Sequence, residues 1–229
     1  MEFSLHRELK QRYAIDGSEV EVRYGRYRVD VVRGDELIEI QHSGLSAIRG
    51  KVEQLLADHD VLVVKPLVIA KLLVKRKKKS GRVVDRRWSP KRQTLLNAFD
   101  ELVSFAKLIP HQRLKVEVVP VVIEEWRLPG QGRRRRRRRG DFVIEDRKLL
   151  EVSEPVEVSQ PVDLLRLLPS PPPQEFGTAD LARQFTVPRW VAQRVAYCLR
   201  ESGVARKVGK RGNAIVYRLT ARAQRRKAA

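Results

Sequence analysis

The sequence predicts a mixed α and β protein. An α-β-β-β-α-β core over about the first seventy residues is followed by a small C-terminal domain of helices and a basic hairpin. Three observations predict it. Two amphipathic N-terminal segments with helical spacing bracket three short alternating runs. A near-continuous apolar run at 61–69 has the character of a buried strand. A stiff Pro-rich stretch, Ser170-Pro171-Pro172-Pro173-Gln174, separates these from a second set of helix and strand signals.

Taken in order, Leu5, Leu9 and Tyr13 recur every four residues and predict a first helix over Ser4 to Tyr13. A strand follows at Val20 to Tyr24. Two alternating runs then flank Gly34-Asp35, the signal for a hairpin with a tight turn. Leu45, Ile48, Val52, Leu55 and Leu56 predict a second helix from Leu45 to Asp58, and the apolar run 61–69 follows it. Ser89-Pro90 reads as an N-cap with Pro at the first helical position, opening a helix to about Leu108. Leu114 to Trp126 contains Pro120 and is expected as an edge or bent strand. Asp141 to Val152 is expected as a hairpin around Asp146. The expected organisation is a core at 1–75, a helix and strand extension at 76–128, and an Arg-rich loop at 129–140. A hairpin and connecting helix at 141–169, a Pro-rich linker at 170–177, a C-terminal domain at 178–221 and a basic tail at 222–229 complete it.

The hairpin carries the candidate chemistry. Asp30 is followed nine residues later by Glu39 and then by Gln41. Side chains alternate along a strand, so Asp30 should lie opposite to Val29 and Val31, and Glu39 and Gln41 opposite to Ile38 and Ile40. In ordinary register, two carboxylates and an amide converge on one side of an otherwise apolar sheet. Unpartnered buried acids are costly, and a divalent metal removes that cost.

This arrangement resembles the PD-(D/E)XK nuclease superfamily, whose site is an Asp ending one strand and a Glu-x-Lys on the next. The element order over about residues 3–70 matches that superfamily's restriction-endonuclease-like core. Val29 stands in place of the Pro, and Gln41 in place of the Lys, as it does in some restriction endonucleases. A Gln hydrogen-bonds a water but brings no charge; Lys51, on the second helix, is the candidate substitute, with Lys65 a weaker one. The resemblance implies metal-assisted phosphodiester hydrolysis. Asp30, Glu39 and the backbone carbonyl of Ile40 would hold Mg²⁺ or Mn²⁺, with Glu8 as an additional acid on the first helix. A binding protein on a degenerate nuclease fold is the alternative.

Charge indicates the partner. Forty-eight Lys and Arg against 28 Asp and Glu give a net charge of +20, which favours a polyanion. The groove-reading signals of the C-terminal segment, and the lack of interleaved aromatics for stacking, favour DNA over RNA. Lys75-Arg76-Lys77-Lys78-Lys79 forms one basic tract. Seven consecutive arginines, Arg133, Arg134, Arg135, Arg136, Arg137, Arg138 and Arg139, read as an electrostatic arm along phosphates. There is no apolar run of membrane-spanning length and no signal-peptide pattern, so a cytoplasmic, nucleoid-associated protein is expected, with no membrane partner and with homodimerisation open. A single cysteine, Cys198, excludes an internal disulfide framework. His6, His42, His59 and His111 lack ligand spacing and read as surface groups, His6 being the one near the cleft.

The C-terminal segment resembles a winged helix-turn-helix: a first helix at Val162 to Leu168, a short helix opened by Thr178, and a second from Arg189 to Ser202. Two strands, Val204 to Val208 and Ile215 to Leu219, then form the wing. Val187, Val191, Val195 and Cys198 are expected to face the core. Arg189, Gln193, Ala196 and Arg200 fall opposite, suited to base edges, with Lys210 and Arg211 at the wing tip suited to phosphates.

Overall fold

The computed structural model describes residues 3–130, 142–221 and 223. Helix α1 (Ser4–Tyr13) precedes strands β1 (Glu19–Tyr24), β2 (Tyr27–Arg33) and β3 (Glu36–Ile40). A 3-10 turn (Leu45–Ala47) leads into α2 (Arg49–Leu55) and then β4 (Asp60–Arg76). The α-β-β-β-α-β order is thus present. Around it lies a large mixed sheet, in the order β1-β2-β3-β4-β6-β7, where β6 is Leu114–Pro129 and β7 is Phe142–Val152. β5 (Val83–Trp88) joins the far end of β4, and β8 (Val156–Val158) the near end of β6. The first three strands are antiparallel, whereas β3, β4 and β6 run parallel.

The sheet is covered on both faces. Leu5 and Leu9 of α1 pack on Val31, Ile38, Ile40, Leu62, Val64 and Val121 on one face. On the other, Val29, Leu37 and Val63 join Val52, Phe99, Phe105 and the C-terminal helices in a single cluster. Helix α1 has no side-chain cap of its own at Phe3. Asp146 of β7 supplies one, accepting the Ser4 N–H at 2.9 Å and the Ser4 hydroxyl at 2.6 Å, which satisfies an otherwise orphaned donor.

Several expected elements differ. The second helix is split into the 3-10 turn and the short α2. The strand expected at 61–69 continues through Pro66 to Arg76. The segment from Ser89 has no helix until a 3-10 turn at Leu95–Ala98 and a four-residue α3 (Phe99–Leu102). The strand β6 is central, paired with β4 along most of its length. Pro120 is tolerated there because its missing donor points between the end of β8, at Val118, and the start of the β7 pairing, at Val121. Finally, 142–152 is one strand and not a hairpin, since Asp146 turns toward α1 rather than forming a turn.

Beyond a 3-10 segment (Pro161–Leu167), β9 (Glu175–Phe176), α4 (Thr178–Gln184), α5 (Arg189–Glu201), β10 (Ala205–Arg211) and β11 (Ala214–Leu219) complete the chain. Gly177 rather than Thr178 occupies the cap position of α4, with its N–H bound by Asp180 at 2.8 Å. The three strands pair as β10-β11-β9. This unit does not hang from a free tether. Its Phe176, Leu181 and Val195 share the core with α3, Pro172 of the Pro-rich stretch is buried, and Arg194 reaches Asp100 at 2.6 Å.

Candidate active site and nucleic-acid surfaces

The site forms where β2 leaves β3. The β1–β2 ladder pairs Val20 with Val31 and Val22 with Val29 but makes no pair between Glu21 and Asp30. Glu21 has a left-handed backbone, φ 56°, which is uncommon outside glycine. Val29 and Val31 consequently enter opposite cores, so the simple alternation expected around Asp30 does not hold. The carboxylate of Asp30 instead faces the edge of β3 and accepts the Ile40 N–H at 2.9 Å. The Ile40 carbonyl, on the same edge, accepts from His6 Nε2 at 2.9 Å. The same His6 nitrogen lies 3.3 Å from Asp30 Oδ2. Neither polar group of Ile40 finds a partner on β2, and two side chains satisfy them.

Glu39, 5% exposed, shares the α2 side of the sheet with Leu37. Its carboxylate accepts from Lys51 Nζ, which also donates to the Arg28 carbonyl. Burial raises the Glu39 pKa, and the Lys51 hydrogen bond and charge offset this only in part. Burial opposes the charge of Asp30 as well, but hydrogen bonds from His6 and the Ile40 N–H outweigh it and hold that carboxyl below its usual range. Two carboxylates on facing strands are therefore driven apart in acidity.

Gln41 extends this wall, with its amide donating to Ser43 Oγ at 2.8 Å and Gly44 O at 2.9 Å. Lys65 anchors the same loop through Ser43 O at 2.5 Å. It lies 3.8 Å from Glu101, and burial pulls its pKa below the ordinary lysine range. Asp30, Ile40, Gln41, His6 and His42 line a cleft of about 390 Å³ with Lys10, Glu21 and Arg28. Glu8 is not part of that lining; its carboxylate accepts the Leu149 N–H of β7 at 2.8 Å. The expectation of a third acid at the cleft thus gives way to a tie between α1 and the sheet.

His6, read from sequence as a surface group near the cleft, is part-buried in the cleft wall. The available signal was spacing: His6 and Lys10 stand four apart on α1, beside the buried pair Leu5 and Leu9, and both line the cleft. The donor chemistry suits a hard cation, since carboxylate and carbonyl oxygens of Asp30 and Ile40 converge on one nitrogen position. Among the described residues, no group of three or more His, Cys, Asp or Glu is arranged to hold a metal, because Glu39 turns toward Lys51.

A second concave surface lies on the C-terminal unit. Arg189, Gln193 and Arg200 line it together with Tyr197, Asn213 and Tyr217 between α5 and β11. Val191, Val195 and Cys198 are buried as expected, with Val187 half-buried. Ala196, expected on the exposed face, is buried. At the hairpin tip, Lys210 is exposed and Arg211 pairs with Asp180 at 3.5 Å. Arg200 is held by Glu201 at 2.8 Å. The arginines from Arg133 to Arg139 lie outside the described residues.

A family model described as a domain of unknown function (DUF8091) matches residues 3–159. An "Uncharacterized protein" of Treponema pallidum (strain Nichols) is 33% identical over 219 residues, covering 95% of this chain and 85% of the relative. No solved structure matches the chain. No helix among the described residues is long and apolar enough to cross a membrane.

Proposed function

Within the DUF8091 family, to which this chain belongs, we propose that the protein is a metal-dependent DNA nuclease carrying a winged-helix DNA-binding module. The observation that carries this reading is the Ile40 backbone. Its carbonyl and the Asp30 carboxylate converge at a break between two strands, and buried Glu39 follows on the adjacent face. Asp30, Glu39 and the Ile40 carbonyl would hold Mg²⁺ or Mn²⁺ through oxygen. The bound ion supplies polarisation of the phosphate and a water of lowered pKa. Lys51, already against Glu39, provides the ammonium that Gln41 lacks, and Gln41 orients the loop and a water. His6 leaves the Ile40 carbonyl and serves as a proton carrier at the cleft wall.

The order of a 3-10 segment, β9, α4, α5 and the β10–β11 hairpin supports the winged-helix reading. In it α5 presents Arg189 and Gln193 to base edges, and Lys210 contacts phosphate. A chain of charge +20 with these surfaces acts on DNA in the cytoplasm, at the nucleoid. Cutting both strands would call for a homodimer.

The experiment is cleavage of supercoiled plasmid by the purified chain with Mg²⁺, Mn²⁺ or EDTA. Metal-dependent nicking that Asp30→Asn and Glu39→Gln each abolish is expected; nicking that survives both sinks the assignment. One specific observation favours a second reading, a non-catalytic DNA-binding protein. His6 already lies against Asp30, Lys51 neutralises Glu39, and Gln41 is tied to its own loop. DNA binding without cleavage under every metal supports that alternative.

A further inference from the structure

The β4–β6 pair continues far past the candidate active site, in parallel register from Val61 and Leu114 to Lys75 and Arg127. At its end lies a separate cleft of about 340 Å³. Its cations are Lys75, Arg76, Lys77, Arg87 and Arg127. Its apolar lining is Val84, Leu128, Pro129 and Phe142. Three carboxylates lie against these cations. Asp85 is 3.1 Å from Lys75, Glu145 is 3.6 Å from Arg76, and Glu125 pairs with Arg127. Five cations against three acids leave a net charge of +2. Arg76 Nε is buried with no hydrogen-bond partner among the described residues. The Phe142 ring is 40% exposed and carries the Arg127 guanidinium 3.7 Å from its centre. Val84 is 46% exposed.

We infer that this distal cleft binds an unpaired strand of nucleic acid, with a base against Phe142 and the adjoining phosphates on Arg76, Arg87 and Lys75. Cations alone would suit any polyanion. The apolar floor decides between duplex and single strand, because a duplex hides the faces of its bases and an unpaired strand offers them for stacking. An acidic protein segment matches the cations but adds no planar group to the stack that Arg127 and Phe142 begin. Position also separates this cleft from the first site. Eleven residues of extended strand from Val64, which pairs with Ile40, to Lys75 span roughly 36 Å. Between them, Lys71, Lys91 and Arg147 line a smaller depression of about 250 Å³. Ile123 and Arg127 have the same strand parity, and Ile123 packs in the α1-side core, so the depression and Arg127 share a face with α1.

The inference deepens the nucleic-acid reading but does not depend on cleavage. The test is fluorescence anisotropy with the full chain in EDTA, using an oligothymidine of about fifteen nucleotides and a blunt duplex of equal length. Phe142→Ala should weaken single-strand binding about tenfold, the scale of one stacked base, and leave duplex binding within about twofold. Phe142→Leu should lose nearly as much, since it keeps apolar bulk but no ring. Arg87→Ala should reduce the salt slope for the single strand by about one. The seven consecutive arginines are present in every variant, so they do not bias the comparison. Equal losses for strand and duplex would overturn the inference, as would unchanged binding in both Phe142→Ala and Arg87→Ala. A polyglutamate that binds with the same Phe142 dependence would assign the cleft to an acidic protein and also overturn it. Asp30→Asn, which tests the nuclease reading, should leave this binding unchanged, so the two can fail separately.

Discussion

The carboxylate of Asp30 takes the backbone N–H of Ile40 at 2.9 Å, the bond a neighbouring strand would otherwise make. A side chain that substitutes for a strand has a structural duty distinct from any chemistry. Asp30→Asn keeps an oxygen acceptor for this N–H; Asp30→Ala leaves a part-buried donor unsatisfied, at about 1–3 kcal/mol. Asp30→Asn is therefore expected to unfold within a degree or two of wild type, and Asp30→Ala clearly lower, while both lose cleavage. Calorimetry beside the plasmid assay checks this. Equal melting of the two variants would remove the structural role.

Lys51 holds Glu39, so their separation has a pH signature. In Lys51→Met, Glu39 is left buried without its cation, and its pKa rises further above the unfolded value. Such a group contributes stability below the unfolded pKa that is lost as pH rises through the folded one. Urea unfolding should show a loss of about 3 kcal/mol at pH 8 and much less at pH 4. Equal losses at both pH values would mean that the pair does not stabilise the site electrostatically.

Asp146 caps α1 from another strand. Its carboxyl is opposed by burial, but bonds from Ser4 outweigh that and lower its pKa. A lowered folded pKa gives stability that is present above the unfolded value, near 3.9, and lost as pH falls below it. Asp146→Ala should cost about 1 kcal/mol at pH 7, a fall in Tm of about 2–4 °C. The cost should shrink toward pH 3. A pH-independent difference would contradict the capping charge.

For the C-terminal unit, Arg189→Ala with Lys210→Ala should weaken duplex binding and reduce the slope of log K against log salt by about two. Titrations between low and moderate salt measure it. An unchanged slope would remove this surface from the DNA interface.

Burial pushes the Cys198 thiol up to about 12. At pH 8 an aromatic disulfide reagent should therefore modify it only after denaturant is added. Because an unfolded thiol ionises near 8.5, stability should fall as pH rises above that value, and Cys198→Ala should lack this component. Stoichiometric labelling of the native chain would place the thiol outside the core.

Much of the first domain was legible because its signals are local. Leu5 and Leu9 fixed α1, Gly34-Asp35 fixed the β2–β3 turn, and Lys51 does lie against Glu39, though the cleft that Asp30 lines includes neither of them. What was illegible depends on distant partners. The end of β4 is a strand despite its lysines because β5 and β6 flank it on both sides. Glu145-Asp146 imitates a turn, but Asp146 is polar in order to cap a helix 142 residues away in sequence. The spacing of His6 and Lys10 marks a face of α1 but not what His6 meets there, since that is the Ile40 carbonyl that β2 abandons. Ala196 was misplaced because the buried arc of α5 is wider than a single stripe.

Pro66 belongs to the same class of hidden signal. It lies on the edge of β4 where β3 has ended, at the Ile40–Val64 pair, and before Gln93 and β5 take up the ladder. Pro66 is buried there, next to the Lys65 that holds the loop through Ser43 O. A buried backbone donor with no strand opposite it is costly. Proline removes that donor, so the chain crosses the gap from β3 to β5 with nothing left unpaired at that position.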